Sequence, residues 1–475
     1  MSGVLWNFTE LMLRRGVATL TTLALAWFLT PEDFGLLAMM MVFLAFADVL
    51  VDAGFSQALI RKESVTQREL STAFFANITI AVLAYLLLFF CAPYIALFYE
   101  QPELEPLIQV VGVAVFFNAL AVVQQAILSR ALKFRLQLQV TLPAAAVSGV
   151  IAIICAYSGL GVWALIVQVV SQSLLISLLY WWQRLWTPSL EFGRNEFREL
   201  FAFGGYLLLA QMTNVPFKNM YVIVIAKVYA SAIAGLYFFA EKIRDLILNQ
   251  LVNSVQKVTY PALSQVQSDS VKLKRGYRQI ISVTTFIVFP VLILLAALVN
   301  NLFTLLLPAT WFAAVPYLQL MCLAGLMNPL NAINLNILKV KGRSDLVFYL
   351  GMYKKTTAIL IFIITYQYGI TAIIVGQIVN SVLGYIPNSY YSKRLINYSV
   401  REQLADFIPT LLLAGIVGFC TWLIQSALNW PVLVELIILG SGAGLIYLTG
   451  AWLLNLSAFG HASRLVEMKL GRKNA

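Results

Sequence analysis

Histidine is nearly absent from this 475-residue chain: His461 is the single one, and it sits close to the C-terminus. Without a second imidazole no His-based metal cluster or Ser/His/Asp relay can be assembled. His461 itself is expected to be a surface residue of the tail. Cysteine is scarce, with Cys91, Cys155, Cys322 and Cys420 each inside an apolar stretch. Their spacing fits neither a disulfide framework nor a metal site, so they are expected to be small packing residues. Gly-rich phosphate loops and dinucleotide turns are missing, which argues against an ATP-driven pump or a nucleotide-dependent enzyme. Charge is low as well, at 11% of residues against about 25% in soluble domains.

Apolar residues fill the space, at 61% of the chain and a mean hydropathy of +0.84. A soluble domain is about 45–50% apolar, so the expected solvent is a lipid bilayer. One span takes about 20 apolar residues. Fourteen such runs are predicted. The first six cover about 5–29, 34–60, 70–98, 106–129, 137–158 and 161–183. The next six cover about 198–228, 231–258, 277–299, 312–338, 345–366 and 369–391. The last two cover about 403–426 and 431–455. The first run, which contains Arg14-Arg15 and Ala24-Leu25-Ala26, resembles a cleaved leader. Apolar spans follow one another to the end, so it is expected to be span 1. The fold class is therefore an all-α integral membrane protein of about fourteen transmembrane helices.

The net charge of +11 would suggest nucleic acid on a soluble protein. Here 23 of the 32 Lys and Arg residues fall in alternate connections and the tail. The opposite connections carry Lys227 with Glu32, Asp33, Glu100, Glu103 and Glu105. That alternation is the positive-inside pattern, and it places both termini in the cytoplasm and excludes a nucleic-acid partner. Aromatic residues, among them Trp27, Trp181, Trp182, Trp186 and Trp311, are expected to anchor the interfaces. No connection exceeds about 20 residues, which leaves little room for the extramembrane catalytic domain of a polymerase or ligase.

A weak repeat runs through the chain. Gly35-Leu36 matches Gly235-Leu236, and Gly161-Val162-Trp163-Ala164-Leu165-Ile166-Val167 matches Gly369-Ile370-Thr371-Ala372-Ile373-Ile374-Val375. Similar offsets of 200–210 predict two six-helix lobes in parallel orientation, residues 1–190 and 191–398, followed by 399–475 with two further helices and a cytoplasmic tail. Transporters often place a site where such repeats meet.

Several ionisable residues fall where charge is costly. Arg14, Arg15, Lys218, Lys242, Arg244, Lys354 and Lys355 lie near mid-span, with Lys257 nearer the cytoplasmic end. Each mid-bilayer charge costs about 2.5–3.5 kcal/mol, and the seven facing lipid would cost roughly 20 kcal/mol. The acids at similar depth are Asp48, Asp52, Glu241 and Asp245. Helical spacing offers Glu241–Arg244 and Lys242–Asp245 as pairs. Three positive charges remain in excess. That predicts a wet cationic cavity suited to an anionic head group such as a diphosphate, against the alternative of internal salt bridges. The four acids are candidates for ion coupling, since a carboxylate in a dry cavity can exchange protons. For Asp48 and Asp52, pairing with Arg14 or Arg15 is the competing reading. Pro216 is expected to kink or open its helix.

Four stretches carry a family resemblance. They are Leu29-Thr30-Pro31-Glu32-Asp33-Phe34-Gly35-Leu36-Leu37-Ala38-Met39, Thr259-Tyr260-Pro261-Ala262-Leu263-Ser264, Asn334-Leu335-Asn336-Ile337-Leu338-Lys339-Val340-Lys341-Gly342-Arg343-Ser344-Asp345-Leu346 and Asn388-Ser389-Tyr390-Tyr391-Ser392-Lys393. The chain resembles the Wzx-type oligosaccharide flippases of the polysaccharide transporter family, in the MOP superfamily, near the colanic-acid and teichuronic-acid exporters. The resemblance implies a V-shaped two-lobe fold that works by alternating access in the bacterial inner membrane. The implied cargo is an undecaprenyl-diphosphate-linked oligosaccharide repeat unit, moved from the cytoplasmic to the periplasmic leaflet during polysaccharide biosynthesis. It implies a cationic cavity lined by helices 1, 2, 7 and 8, and Lys354-Lys355 sits where this branch carries two lysines. It also implies no catalysis, no cofactor beyond a proton or sodium gradient, and partnership with the polysaccharide polymerase and chain-length machinery. Lys218 beside Asn219 departs from the acidic residue the family carries nearby, so the coupling ion stays open. The alternatives are a lipid II flippase, a multidrug exporter of the same superfamily, or a membrane polymerase or ligase.

Overall fold

A computed structural model describes residues 13, 16–52, 54–62, 64–267, 269–428, 430–461 and 463. Among the described residues every regular element is helical. The first nine are α1 (Gly16–Leu25), α2 (Pro31–Asp52), α3 (Phe55–Arg61), α4 (Gln67–Tyr99), α5 (Leu104–Val111), α6 (Val113–Arg130), α7 (Phe134–Tyr157), α8 (Trp163–Trp182) and α9 (Arg194–Val228). Next come α10 (Ser231–Gln265), α11 (Ser270–Leu306), α12 (Val315–Gly325), α13 (Asn328–Val340) and α14 (Ser344–Thr365). The last are α15 (Ile370–Ile396), α16 (Val400–Ala427) and α17 (Val432–Leu453).

Among the described residues twelve helices are long and apolar enough to cross a membrane. They stand at twelve of the fourteen predicted positions. α10 occupies the eighth position, but Glu241, Lys242, Arg244 and Asp245 interrupt its apolar run and keep it out of the twelve. At the first position only the short α1 is described. Apolar side chains such as Leu83, Phe90 and Leu97 on α4 point outward, as lipid-facing surfaces require.

Two compact units divide the chain, Met1–Phe238 and Phe239–Ala475. In the first unit, α2 packs on α9, α4 and α6, and α7 packs on α8. α9, assigned to the second lobe by the repeat, makes these helix contacts in the first unit. One buried cluster holds Phe55, Leu59, Phe74, Val123 and Leu200, with Trp181 and Trp186 packed edge-on against Phe74 at 5.6 and 5.7 Å. Both indoles are also tied by hydrogen bonds, Trp181 to the Leu120 carbonyl and Trp186 to Gln67. Both are partly buried and pack against the core cluster rather than standing free on the surface. α4 begins with a capping box: Thr66 accepts from the Glu69 N–H and the Glu69 carboxylate accepts from the Thr66 N–H. The break between α2 and α3 falls at Gly54, with φ of 72°. A Cβ there would lie 2.6 Å from the Gly204 backbone, so α9 can approach only a glycine.

In the second unit, α11 is central and packs on α16, α12 and α17, while α15 packs on α12, α13 and α14. Asp269 caps α11, and Ser399 with Glu402 forms a second capping box on α16. Trp311 is fully buried, 4.3 Å between ring centres from Phe239, and is a core residue rather than an interface anchor. Proline behaves in two ways. Pro329 starts α13 and so divides the tenth predicted span. Pro216 lies inside α9, which runs unbroken from Arg194 to Val228, so the predicted opening does not occur. One missing N–H is tolerated because helices α2, α3 and α4 support α9 along its length. Among the cysteines, Cys322 is buried as expected, but Cys420 is exposed on an outward face of α16.

Candidate transport site

Mid-span charge is the signal to follow. Arg14 and Arg15 lie outside the described residues. On α2, Asp48 accepts a hydrogen bond from the Asn118 side-chain amide on α6 at 3.1 Å. Asp52 sits at the end of the same helix, where one carboxylate oxygen accepts from the Ser56 N–H at 3.4 Å. Asp52 thus bridges the break at Gly54 and has a structural role that its spacing from Asp48 did not reveal. Lys218 on α9 is exposed and has no ion-pair or hydrogen-bond partner among the described residues.

α10 brings four charges onto two turns. Arg244 reaches both acids: its Nε and Nη2 donate to Asp245 Oδ1 at 2.9 and 2.7 Å, and Nη2 donates to Glu241 Oε1 at 3.3 Å. The guanidinium is largely shielded, with 13% of the side chain exposed. The expected Lys242–Asp245 pair does not form. A forked guanidinium satisfies two carboxylates at once, whereas an ammonium acts as a point charge. Lys242 is left without an ion-pair or hydrogen-bond partner among the described residues. The cluster sums to zero, yet one of its cations is available and the other is already engaged.

Lys354 stands halfway along α14. Its methylene stem lies across Gly384 of α15, where a Cβ would come within 3.0 Å of Lys354 Cε. A side chain at 384 would press on the lysine stem, which would have to shift by a few tenths of an ångström. The ammonium donates a long hydrogen bond of 3.4 Å to Asn331 Oδ1 on α13. The same oxygen accepts from Asn388 Nδ2 at 2.8 Å, and Asn331 Nδ2 donates to the Ser381 carbonyl at 3.2 Å. Beside Lys354, Thr357 donates to Asn380 on α15 at 2.8 Å. No carboxylate faces the Lys354 ammonium among the described residues. Its neighbour Lys355 is half-buried on the same helix.

One set of residues went unread in the sequence. Asn334 Oδ1 accepts from Tyr277 at 2.5 Å and from Ser392 at 2.7 Å, while its Nδ2 donates to Gln403 at 3.3 Å. Tyr385 donates to the same Gln403 oxygen at 2.8 Å. These buried groups join α11, α13, α15 and α16. Amides inside apolar spans are costly unless paired, so Asn334 and Asn388 were visible candidates for such a network.

In the first unit, α2 and α10 begin side by side. A Cβ on Gly35 would fall 2.0 Å from the Ser231 carbonyl oxygen, and a Cβ on Gly235 would fall 1.7 Å from the Pro31 carbonyl oxygen. The contact is reciprocal, with each glycine receiving the carbonyl four residues before the other. Ser231 also donates to Glu32 at 2.9 Å, and nearby Lys227 pairs with Glu100 at 2.7 Å. The matched dipeptides of the repeat thus meet in space.

The model of the family described as "Polysaccharide biosynthesis protein" matches residues 24–316, more than half of the chain. Over 312 residues the chain is 28% identical to the teichuronic acid biosynthesis protein TuaB of Bacillus subtilis strain 168; the match covers 64% of the chain and 63% of TuaB, a little under two thirds of that relative. Over 432 residues it is 24% identical to the lipopolysaccharide biosynthesis protein WzxC of Escherichia coli K12, covering 88% of the chain and 87% of WzxC. The lipid II flippase MurJ in an inward closed conformation shares the fold with a TM-score of 0.74 at 15% identity, over 95% of this chain and 98% of that one. With the helix order, the span positions and the family match in agreement, the chain belongs to the polysaccharide biosynthesis protein family.

Proposed function

We propose that the protein is a flippase for undecaprenyl-diphosphate-linked oligosaccharide repeat units, carrying them from the cytoplasmic to the periplasmic leaflet of the bacterial inner membrane. The observation that carries this reading is the pair of mid-span ammonium groups, Lys242 and Lys354, that no carboxylate neutralises among the described residues. Leaving such charge unmatched in lipid is costly, and a diphosphate would supply the counter-charge in each cycle. Kinship to TuaB and WzxC and the fold shared with MurJ support the cargo class.

In this reading the chain's own groups bind and orient and make no covalent bond. Lys354 and Lys242 attract the diphosphate. Lys355 adds long-range positive potential. Arg244, already held by Glu241 and Asp245, positions α10 and contributes less to binding. The reciprocal glycine contact between α2 and α10 closes the outer side and has to part for release. A proton or sodium gradient drives the cycle, with Asp48, Asp52, Glu241 and Asp245 as candidate coupling groups. Both termini face the cytoplasm, and the polymerase and chain-length machinery receive the product.

The test is reconstitution into vesicles with a defined undecaprenyl-diphosphate oligosaccharide, followed by its accessibility in the outer leaflet. Movement that fails in K242Q and K354Q proteins, with membrane insertion intact, supports the proposal. Undiminished movement in the double variant sinks it. Loss of movement on collapsing the proton gradient assigns the coupling ion.

A further inference from the structure

A second basic site lies at the cytoplasmic end of the second unit, away from the mid-span lysines. The first turns of α11, the start of α16 and the segment after α17 enclose a cleft of about 320 Å³. Its walls include Lys274, Arg275, Arg278, Ser282, Asp406 and His461. Residues 274, 275, 278 and 282 follow helical spacing, so α11 turns one cationic face into the cleft. His461, expected to be a surface tail residue, is half-buried here. It is brought in because Ala458 is buried and Phe459 packs edge-on against Phe286 of α11 at 6.1 Å.

The charges do not cancel. Lys274 is held by Glu402 at 2.8 Å and by the Asn397 carbonyl at 2.6 Å. Arg278 binds Asp406 through Nε and Nη2 at 2.7 and 2.5 Å, and Tyr398 donates to the same carboxylate at 2.6 Å. Each acid is therefore saturated by groups that fix its position. A guanidinium has five N–H donors, so the Arg278 fork keeps donors beyond those spent on Asp406. Arg275 is exposed and has no ion-pair or hydrogen-bond partner among the described residues. The cleft thus offers a cation held by a carboxylate, an unpaired cation and serine hydroxyls, with at least one positive charge uncompensated. That donor set suits a phosphate group. The exposed apolar Val271 forms part of the rim, and basic pockets between spans on the cytoplasmic side suit phospholipid head groups.

We propose that this cleft binds the phosphate of an anionic phospholipid head group of the cytoplasmic leaflet, with Arg275 and Arg278 as the donors. The site is independent of the transport reading, and its test does not use transport. The full chain in detergent is titrated with phosphatidylglycerol, with phosphatidylcholine and with inorganic phosphate, and retained ligand is read by native mass spectrometry. Expected is selective retention of phosphatidylglycerol that falls about tenfold in R275Q, the loss of one charge-assisted contact. R401Q removes an exposed cytoplasmic arginine outside the cleft, and it should leave retention unchanged. Equal losses in R275Q and R401Q, or equal retention of the two lipids, would overturn the site. Arg275-dependent binding of inorganic phosphate without retained lipid would overturn the lipid assignment and leave a site for the free anion.

Discussion

Two polar clusters in the second unit differ in how completely they are satisfied. Around Asn334, the amide oxygen and nitrogen, the Tyr277 and Tyr385 hydroxyls, Ser392 and Gln403 bond to one another in a closed set across four helices. Around Lys354, the ammonium has one long contact to Asn331, and the side-chain amide oxygen of nearby Asn388 is buried without a hydrogen-bond partner. A saturated network in low dielectric holds its helices together, whereas an unsaturated one keeps a standing affinity for whatever completes it. The first cluster suits a scaffold and, in the proposed reading, the second suits binding, although both are built from asparagines in apolar spans.

Breaking the closed cluster should have the largest effect. N334A leaves Tyr277, Ser392 and Gln403 short of partners in the core and should cost about 3 kcal/mol of stability, seen as a fall in the thermal unfolding midpoint of solubilised protein. A midpoint within error of the parent would show that the network contributes little. K354Q should do the reverse, lowering oligosaccharide movement about tenfold while changing the midpoint far less than N334A. N331D tests whether the open cluster can be closed from within. A carboxylate facing Lys354 should depress transport as K354Q does, because the head group then competes with a resident anion; the lost donor to the Ser381 carbonyl offsets the stability the new ion pair adds. Transport at the parental rate would separate Lys354 from the cargo.

The smallest effect is expected at the exposed Lys227–Glu100 pair. The hydrogen bond from Lys227, aided by its charge, holds the Glu100 carboxyl below its ordinary value of 4.5. A carboxyl lowered in the folded state adds stability above that ordinary value and loses it as pH falls through the depressed one. The midpoint difference between the parent and E100Q should therefore be small at pH 7 and vanish in acid. Solvent screening of a surface pair keeps it small. A difference that grows on acidification would contradict the assignment.

Much of this organisation was legible in the residues. Apolar run lengths placed the helices at twelve of the fourteen predicted positions. The glycines at 35 and 235 stand out in the sequence as a matched pair, although only the folded chain shows that the two meet. Choice of partner was harder to read. Helical spacing allowed Lys242 or Arg244 to take Asp245, and the outcome depended on the fork of the guanidinium reaching two acids at once. Trp311 has the composition of an interface anchor, but Phe239 lies against it in the packed interior. Asp52 has the spacing of a coupling carboxylate, and its hydrogen bond across the Gly54 break became visible only in three dimensions. Spacing along one helix is encoded locally, while pairing between helices depends on how they pack.

The reciprocal seam at Gly35 and Gly235 has a consequence for evolution as well as for motion. A bulkier side chain on either helix would strike its neighbour's main chain, so neither member of the duplicated pair can drift alone. Between the two backbones there is dispersion and the Ser231–Glu32 hydrogen bond, with no ionic latch between these helices among the described residues. Such a joint is strict about what may occupy it, yet among the described residues no ion pair would have to break for it to part.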